Sequence, residues 1–155
     1  MTTEQPVFEY DRDIIGKQFE LGSQEITRER IRRFCEVLGE TNPLFTDDEA
    51  AASGPYGAVI APPGLVYSLQ LGQGPDAKVV FGQATFHAGE RAELHDVVRP
   101  GDVVTARQQI KDVFAKTGRS GTMVFVVRRT EFTNQHGTLV AAVEQSMVHR
   151  EVNRG

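Results

Sequence analysis

The sequence is poor in the residues that carry covalent and metal chemistry. Cys35 is the only cysteine, which excludes an internal disulfide and any metal site built from a cysteine cluster. Four histidines stand at positions 87, 95, 136 and 149. His87 and His95 would lie roughly 26 Å apart along a strand, on one face if no bulge intervenes, and the others fall in a turn and near the end, so none makes a metal-ligand spacing. No metal and no cofactor are expected. No apolar run approaches the roughly 20 residues of a membrane helix. The opening "MTTEQPVFEYDRD" has neither a basic n-region nor an apolar h-region, and a cytoplasmic location is expected. Basic residues are outnumbered, 17 Lys and Arg against 21 Asp and Glu, which argues against a nucleic-acid surface. "GPYG" at 54–57 is not a phosphate loop, because it lacks the lysine and the preceding strand of that motif.

What remains is ordinary globular chemistry. With 39% hydrophobic and 25% charged residues in 155, the chain has enough apolar surface for one core, and residues 1–155 read as a single domain with unpacked extreme termini. Thr27 caps a predicted helix to Leu38: Ile31, Phe34, Cys35 and Leu38 make an apolar stripe at i, i+3, i+4, i+7, opposed by Arg28, Arg32 and Glu36, and Gly39 ends it. Cys35 on that stripe reads as a small core residue rather than a nucleophile. Asp47 to Ala52 predict further helical turns, with acids at the positive end of the dipole. Pro62 and Pro63 suit the first turn of another helix, and "GLVYSLQL" at 64–71, apolar on several sides, predicts that this helix is buried.

From Val79 the texture changes to long β-rich segments, "ATFHAGERAELHDVV", "DVVTARQQIKDVFAK", "GTMVFVVRRTEF" and "TLVAAVEQSMVHRE", punctuated by "RPGD" and "NQHG". Pro then Gly fit a type II turn, and Asn and Gly tolerate positive φ. These features predict an antiparallel meander, joined by a short strand around 16–26. Helices first and strands afterwards give an α+β class with the helices on one face of the sheet.

The stretch "FCEVLGETNPLFTDDEAAA" at 34–52 resembles the signature of the MaoC-like (R)-specific enoyl-CoA hydratases and dehydratases, an aromatic and small residues before Gly-Asp-x-Asn-Pro-Leu-His-x-Asp and an alanine-containing helix. "VIAPPGLVYSL" at 59–69 and "FHAGERAELHDVVRPGDVV" at 86–104 are similar to that family's central-helix opening and first long strand, so the resemblance covers most of the chain. It implies a hotdog fold, an antiparallel sheet wrapped around a central buried helix. It also implies a dyad in which an aspartate and a histidine activate the water that adds to an enoyl thioester, opposite a donor for the enolate oxygen. By position the aspartate falls on Glu40 and the histidine on Phe45, which carries no proton chemistry. The family's His-Gly at the helix opening falls on Ala61 and Pro62, and proline has no N–H to offer the thioester oxygen.

Asn42, Asp47 and Gly64 complete the candidate substrate-binding set with Phe45, Ala61 and Pro62. Turn and cap chemistry alone explains Asn42 and Asp47. Phe45 reads as core filler or as the wall of an acyl tunnel. Glu40 reads as a solvated carboxylate or a sole remaining base, and His95 as a structural residue or a substitute base. Arg91, Arg99, Lys111, Arg128 and Arg129 either meet coenzyme A phosphates or face solvent. The resemblance thus implies a chain that binds an acyl-CoA or acyl-carrier-protein thioester without turning it over, in a hetero-oligomer with a dyad-bearing hotdog subunit. The alternatives are a working homodimer using Glu40 for hydration or thioester hydrolysis, and a homodimer that only binds.

Overall fold

A computed structural model describes residues 7–152; the extreme termini read as unpacked lie outside that range. After a 3-10 turn at Arg12–Ile14 come β1 (Phe19–Glu25), α1 (Arg28–Leu38), α2 (Pro43–Thr46), α3 (Asp48–Ala52), α4 (Pro63–Tyr67), β2 (Ala84–Leu94), β3 (Val103–Gly118), β4 (Gly121–Thr133) and β5 (Leu139–Arg150). Among the described residues no helix is long and apolar enough to cross a membrane.

Local chemistry sets the helix limits. The Thr27 hydroxyl accepts from the Arg30 amide, and Gly39 closes α1 in the left-handed region at φ 67° while its N–H donates to the carbonyls of Cys35 and Glu36. Ile31 and Cys35 are the buried side of that helix. The Asn42 side chain caps α2 at the Leu44 amide, and Asp47 caps α3 at the amides of Glu49 and Ala50, so each short helix has an acceptor for amides without intrahelical partners.

The five strands form one antiparallel sheet in the order β1-β3-β4-β5-β2. The expected meander is therefore correct only for β3, β4 and β5. Strand β2 crosses the sheet to pair with β5, and "RPGD" is a turn within that crossover rather than a hairpin. Its type was legible, since Asp102 N donates to Arg99 O at 3.1 Å and Gly101 sits at φ 92°, but its neighbours in space were not. A bulge between His87 and Gly89 also shifts the alternation along β2, and His95 lies beyond the end of that strand, so the expected strand parity does not relate the two histidines.

Register defines rows across the inner face, which carries the helices. Ala106, Phe132, Ala141 and Leu94 make one row; Gln108, Thr130, Val143 and Ala92 the next; then Ile110, Arg128, Gln145 and Glu90; then Val113, Val126, Met147 and His87. The apolar end rows anchor two separate core clusters. The first gathers Ile26, Ile31, Leu65, Val66, Val104 and Phe132 beneath α1 and α4. The second gathers Ile110, Val113, Val124 and Val126 beneath Phe8, Tyr10, Ile14 and Phe81. Between them runs a band of polar side chains, in which Gln108 donates to Thr130 at 2.8 Å and Gln145 to Glu90 at 3.0 Å.

The central helix is shorter than the apolar run at 64–71 predicts. It stops at Tyr67, and the chain leaves for β1, where two glycines cross. A Cβ on Gly72, at φ 140°, would stand 2.5 Å from the Leu21 carbonyl oxygen, and one on Gly22 would stand 2.8 Å from that of Leu71. Backbone this close to backbone tolerates no side chain, so the crossing requires glycine on both sides. Gly72→Ala is expected to destabilise the protein by roughly 3 kcal/mol through strain and collision together. Gly39→Ala has the same unfavourable sign of φ but nothing within 4 Å, and should cost about 1 kcal/mol. Urea midpoints of the two variants check the ordering.

Candidate functional site

A cavity of about 360 Å³ opens where α2 and the start of α4 meet the ends of β2 and β5. Leu44 and Phe45 form one wall, Ile60, Ala61, Pro63 and Val66 another, and Leu94, His95, Val98, Val140 and Ala141 complete it. Backbone bonds hold the walls in place: the Ile60 amide donates to Leu44 O at 3.1 Å and the Ala61 amide to Val98 O at 2.7 Å. Tyr56 covers the rim, its carbonyl held at 2.6 Å by Arg99 Nη1.

At Ala61 and Pro62, where the resemblance places the donor for a thioester oxygen, no N–H is free. Pro62 and Pro63 carry no N–H, and the Ala61 N–H is already committed to Val98. Ala61 and Pro62 are buried. Gly64 lies behind them, where a Cβ would touch Phe34 Cζ at 3.4 Å and Tyr67 Oη at 3.7 Å, so its smallness serves helix packing.

Phe45 is half-buried and packs against the first core cluster. Glu40, five residues earlier, is not beside it: it lines a separate cleft with Arg28, Arg32, Cys35 and Thr46. There its Oε1 accepts from the Asn42 amide at 2.8 Å. Asn42 Oδ1 accepts in turn from the Leu44 amide at 3.1 Å, and Asp47 Oδ1 from Glu49 and Ala50. The structure thus unites Phe45 and Ala61 at the cavity, sets Pro62 and Gly64 in the helix opening behind it, and ties Glu40, Asn42 and Asp47 to the loop backbone.

His95 lines the same cavity as Phe45, and its Nε2 lies 3.5 Å from Glu93 Oε2. Asp96 also lines it, with one carboxylate oxygen accepting from the Val97 amide at 2.8 Å. Tyr56 and Asp96 were not among the expected residues; Asp96 lay inside the β-rich segment at 84–98, where nothing set it apart. Of the basic residues considered for phosphate contacts, Lys111 and Arg129 are both bound to Glu144, Arg91 pairs with Glu93, and Arg99 holds Tyr56. The Lys111 hydrogen bond, more than any other neighbour, holds the Glu144 carboxyl below its ordinary range.

Residues 13–143 match the family described as the FAS1-like dehydratase domain region. The chain belongs to that family. A UPF0336 protein from Streptomyces avermitilis is 28% identical over 152 residues, covering 94% of this chain and 98% of that protein. Among solved structures, a chain of the HadBC (3R-hydroxyacyl-ACP dehydratase) complex from Mycobacterium tuberculosis superposes with a TM-score of 0.66 at 24% identity, covering 89% of this chain and 98% of that one. A chain of the ChsH1-ChsH2 complex from the same organism superposes at 0.71 and 16% identity, covering 90% and 86%. These likenesses establish the hotdog fold and the α+β class.

Cys35 is 2% exposed, and burial first, then the charge of Glu40, pushes its thiol above the ordinary range. A thiolate reagent at neutral pH is therefore expected to leave the native protein unlabelled and to label one thiol per chain once urea unfolds it. A fast reaction in native buffer would contradict this placement.

Proposed function

We propose that this chain is the acyl-thioester-binding, non-catalytic subunit of a heteromeric (R)-specific enoyl-CoA hydratase or 3-hydroxyacyl dehydratase, a single cytoplasmic hotdog domain that works beside a dyad-bearing hotdog subunit. The observation that carries this reading is the pairing of two deficits in one cavity. Phe45 stands where the resemblance places the base, and the helix opening behind it has two prolines and one engaged amide. Hydration needs a base for water and a donor for the developing enolate oxygen. Losing one such donor lowers rates by ~10²–10³, and here the base position is vacated as well. The remaining apolar walls suit an acyl chain.

Two further observations support a heteromer. The HadBC and ChsH1-ChsH2 structures are complexes of named pairs of subunits. In this chain β2 is a sheet margin whose outer side has no strand partner among the described residues, with Phe86 and Leu94 exposed along it. Such a margin is a template for a partner strand. The carrier on the thioester is either coenzyme A or an acyl carrier protein.

A second reading has one specific observation in its favour. His95 faces the cavity with Glu93 behind it, an arrangement that could deprotonate water in a homodimer. Glu40 is less suited to that role, since its carboxylate serves the Asn42 amide in another cleft.

The purified chain is expected to bind enoyl-CoA in calorimetry and to show no hydration of crotonyl-CoA or longer enoyl-CoAs. Activity should appear only when a co-purified dyad-bearing hotdog subunit is added, and Phe45→His alone should leave the isolated chain inactive because Pro62 still has no N–H. Turnover by the chain alone that disappears in His95→Ala would establish the second reading; loss in Glu40→Gln would establish the Glu40 base.

A further inference from the structure

A second cavity, of about 430 Å³, lies over the polar band that divides the core. Its roof is Tyr67 to Gly72, the segment that replaces the rest of the helix, together with Leu21 from the glycine crossing. Its floor is Glu90, Gln108, Thr130, Phe132, Val143 and Gln145. Gln108, Thr130 and Gln145 are half-buried, Phe132 and Val143 buried and Glu90 exposed, and a polar floor between two apolar clusters costs desolvation wherever its hydrogen-bonding capacity is unmet.

The capacity left over includes both acceptors and donors. Each glutamine already donates one amide hydrogen, Gln108 to Thr130 and Gln145 to Glu90. What remains is, as acceptors, the amide carbonyls of Gln108 and Gln145 and the second carboxylate oxygen of Glu90, and, as donors, the second amide hydrogen of each glutamine and the Thr130 hydroxyl hydrogen. A carboxylate accepts only. A plain hydrocarbon chain would bury these acceptors without partners, whereas a hydroxyl group would satisfy one and accept from Thr130 or an amide hydrogen.

The two cavities are neighbours along the same strands. Leu94 and Ala141 are registered partners and line the first cavity, and Glu90 and Gln145 are registered partners on the floor of the second. Four residues along a strand separate the two pairs, roughly 13 Å. An extended chain advances about 3.3–3.6 Å for every three backbone bonds, so the interval corresponds to roughly eleven bonds. On α4, Val66 lines the first cavity and Tyr67 the second.

We propose that the second cavity is a distal subsite for an oxygenated acyl chain, in which Glu90 and Gln145 hold a hydroxyl group roughly eleven bonds from a thioester seated beside Phe45. This rests on the thioester-binding reading and narrows its substrate class from acyl thioesters in general to hydroxylated ones of medium length. A wholly apolar chain of the same length leaves the acceptors unpaired and binds more weakly.

Calorimetry with dodecanoyl-CoA and ω-hydroxydodecanoyl-CoA tests it. The hydroxylated thioester is expected to bind about tenfold more tightly, the size of one buried hydrogen bond. In Glu90→Leu and in Gln145→Leu, each checked for an unchanged urea midpoint, that preference should vanish while dodecanoyl-CoA binds as well as before or better. Two variants on different strands guard against one failing to fold. Equal affinity for the two thioesters, or a preference that survives both substitutions, would overturn the distal subsite and leave the thioester-binding reading standing. Failure of both thioesters to bind would overturn both.

Discussion

The crossing of two backbone segments at Gly22 and Gly72 controls how much of the sheet the central helix can cover. A helix continued through Leu71 would need that stretch coiled over the inner face; the crossing instead requires it extended and against β1. One helical turn is left, seated on β5 and fixed at its start by the Ala61 amide on Val98. Both cavities follow. The first lies at the opening of that turn, and the second fills the space that further turns would have occupied.

Splitting the core has an energetic logic of its own. Small domains gain most of their stability from apolar burial, so a polar band across the middle of the inner face forgoes some of it. The band is made tolerable by pairing: Gln108 with Thr130, and Gln145 with Glu90. Each apolar cluster then has its own cover, α1 and α4 over one, the N-terminal segment and the chain around Phe81 over the other. The result is a sheet with an apolar cluster at each end and a polar band between them.

Much of this was legible because it is local. Thr27 and Gly39 bounded α1, β-rich composition with turn-like separators located all four long strands, and the glutamine, threonine and valine residues along β3, β4 and β5 could have revealed the band by counting inward positions from Val104. That Phe45 stands where the resemblance implies an imidazole could be read from its place after Asn42 and Pro43 in the matching motif. What was not legible depends on distant partners. The apolar run at 64–71 has a helix composition, but its second half is set by a β1 glycine more than forty positions earlier in the chain. The place of β2 beside β5 depends on the whole sheet. Glu40 and Phe45 are close in sequence, yet the cap that Asn42 makes turns the loop and sends their side chains to different clefts.

Strand β2 floors both cavities with Leu94 and Glu90, and it is also the outermost strand of the sheet. Anything that docks on this margin shares a structural element with anything that fills the cavities. If a ligand favours assembly, assembly must favour that ligand by the same factor. Apparent affinity would then depend on the protein concentration at which it is determined, and dilution alone would weaken it.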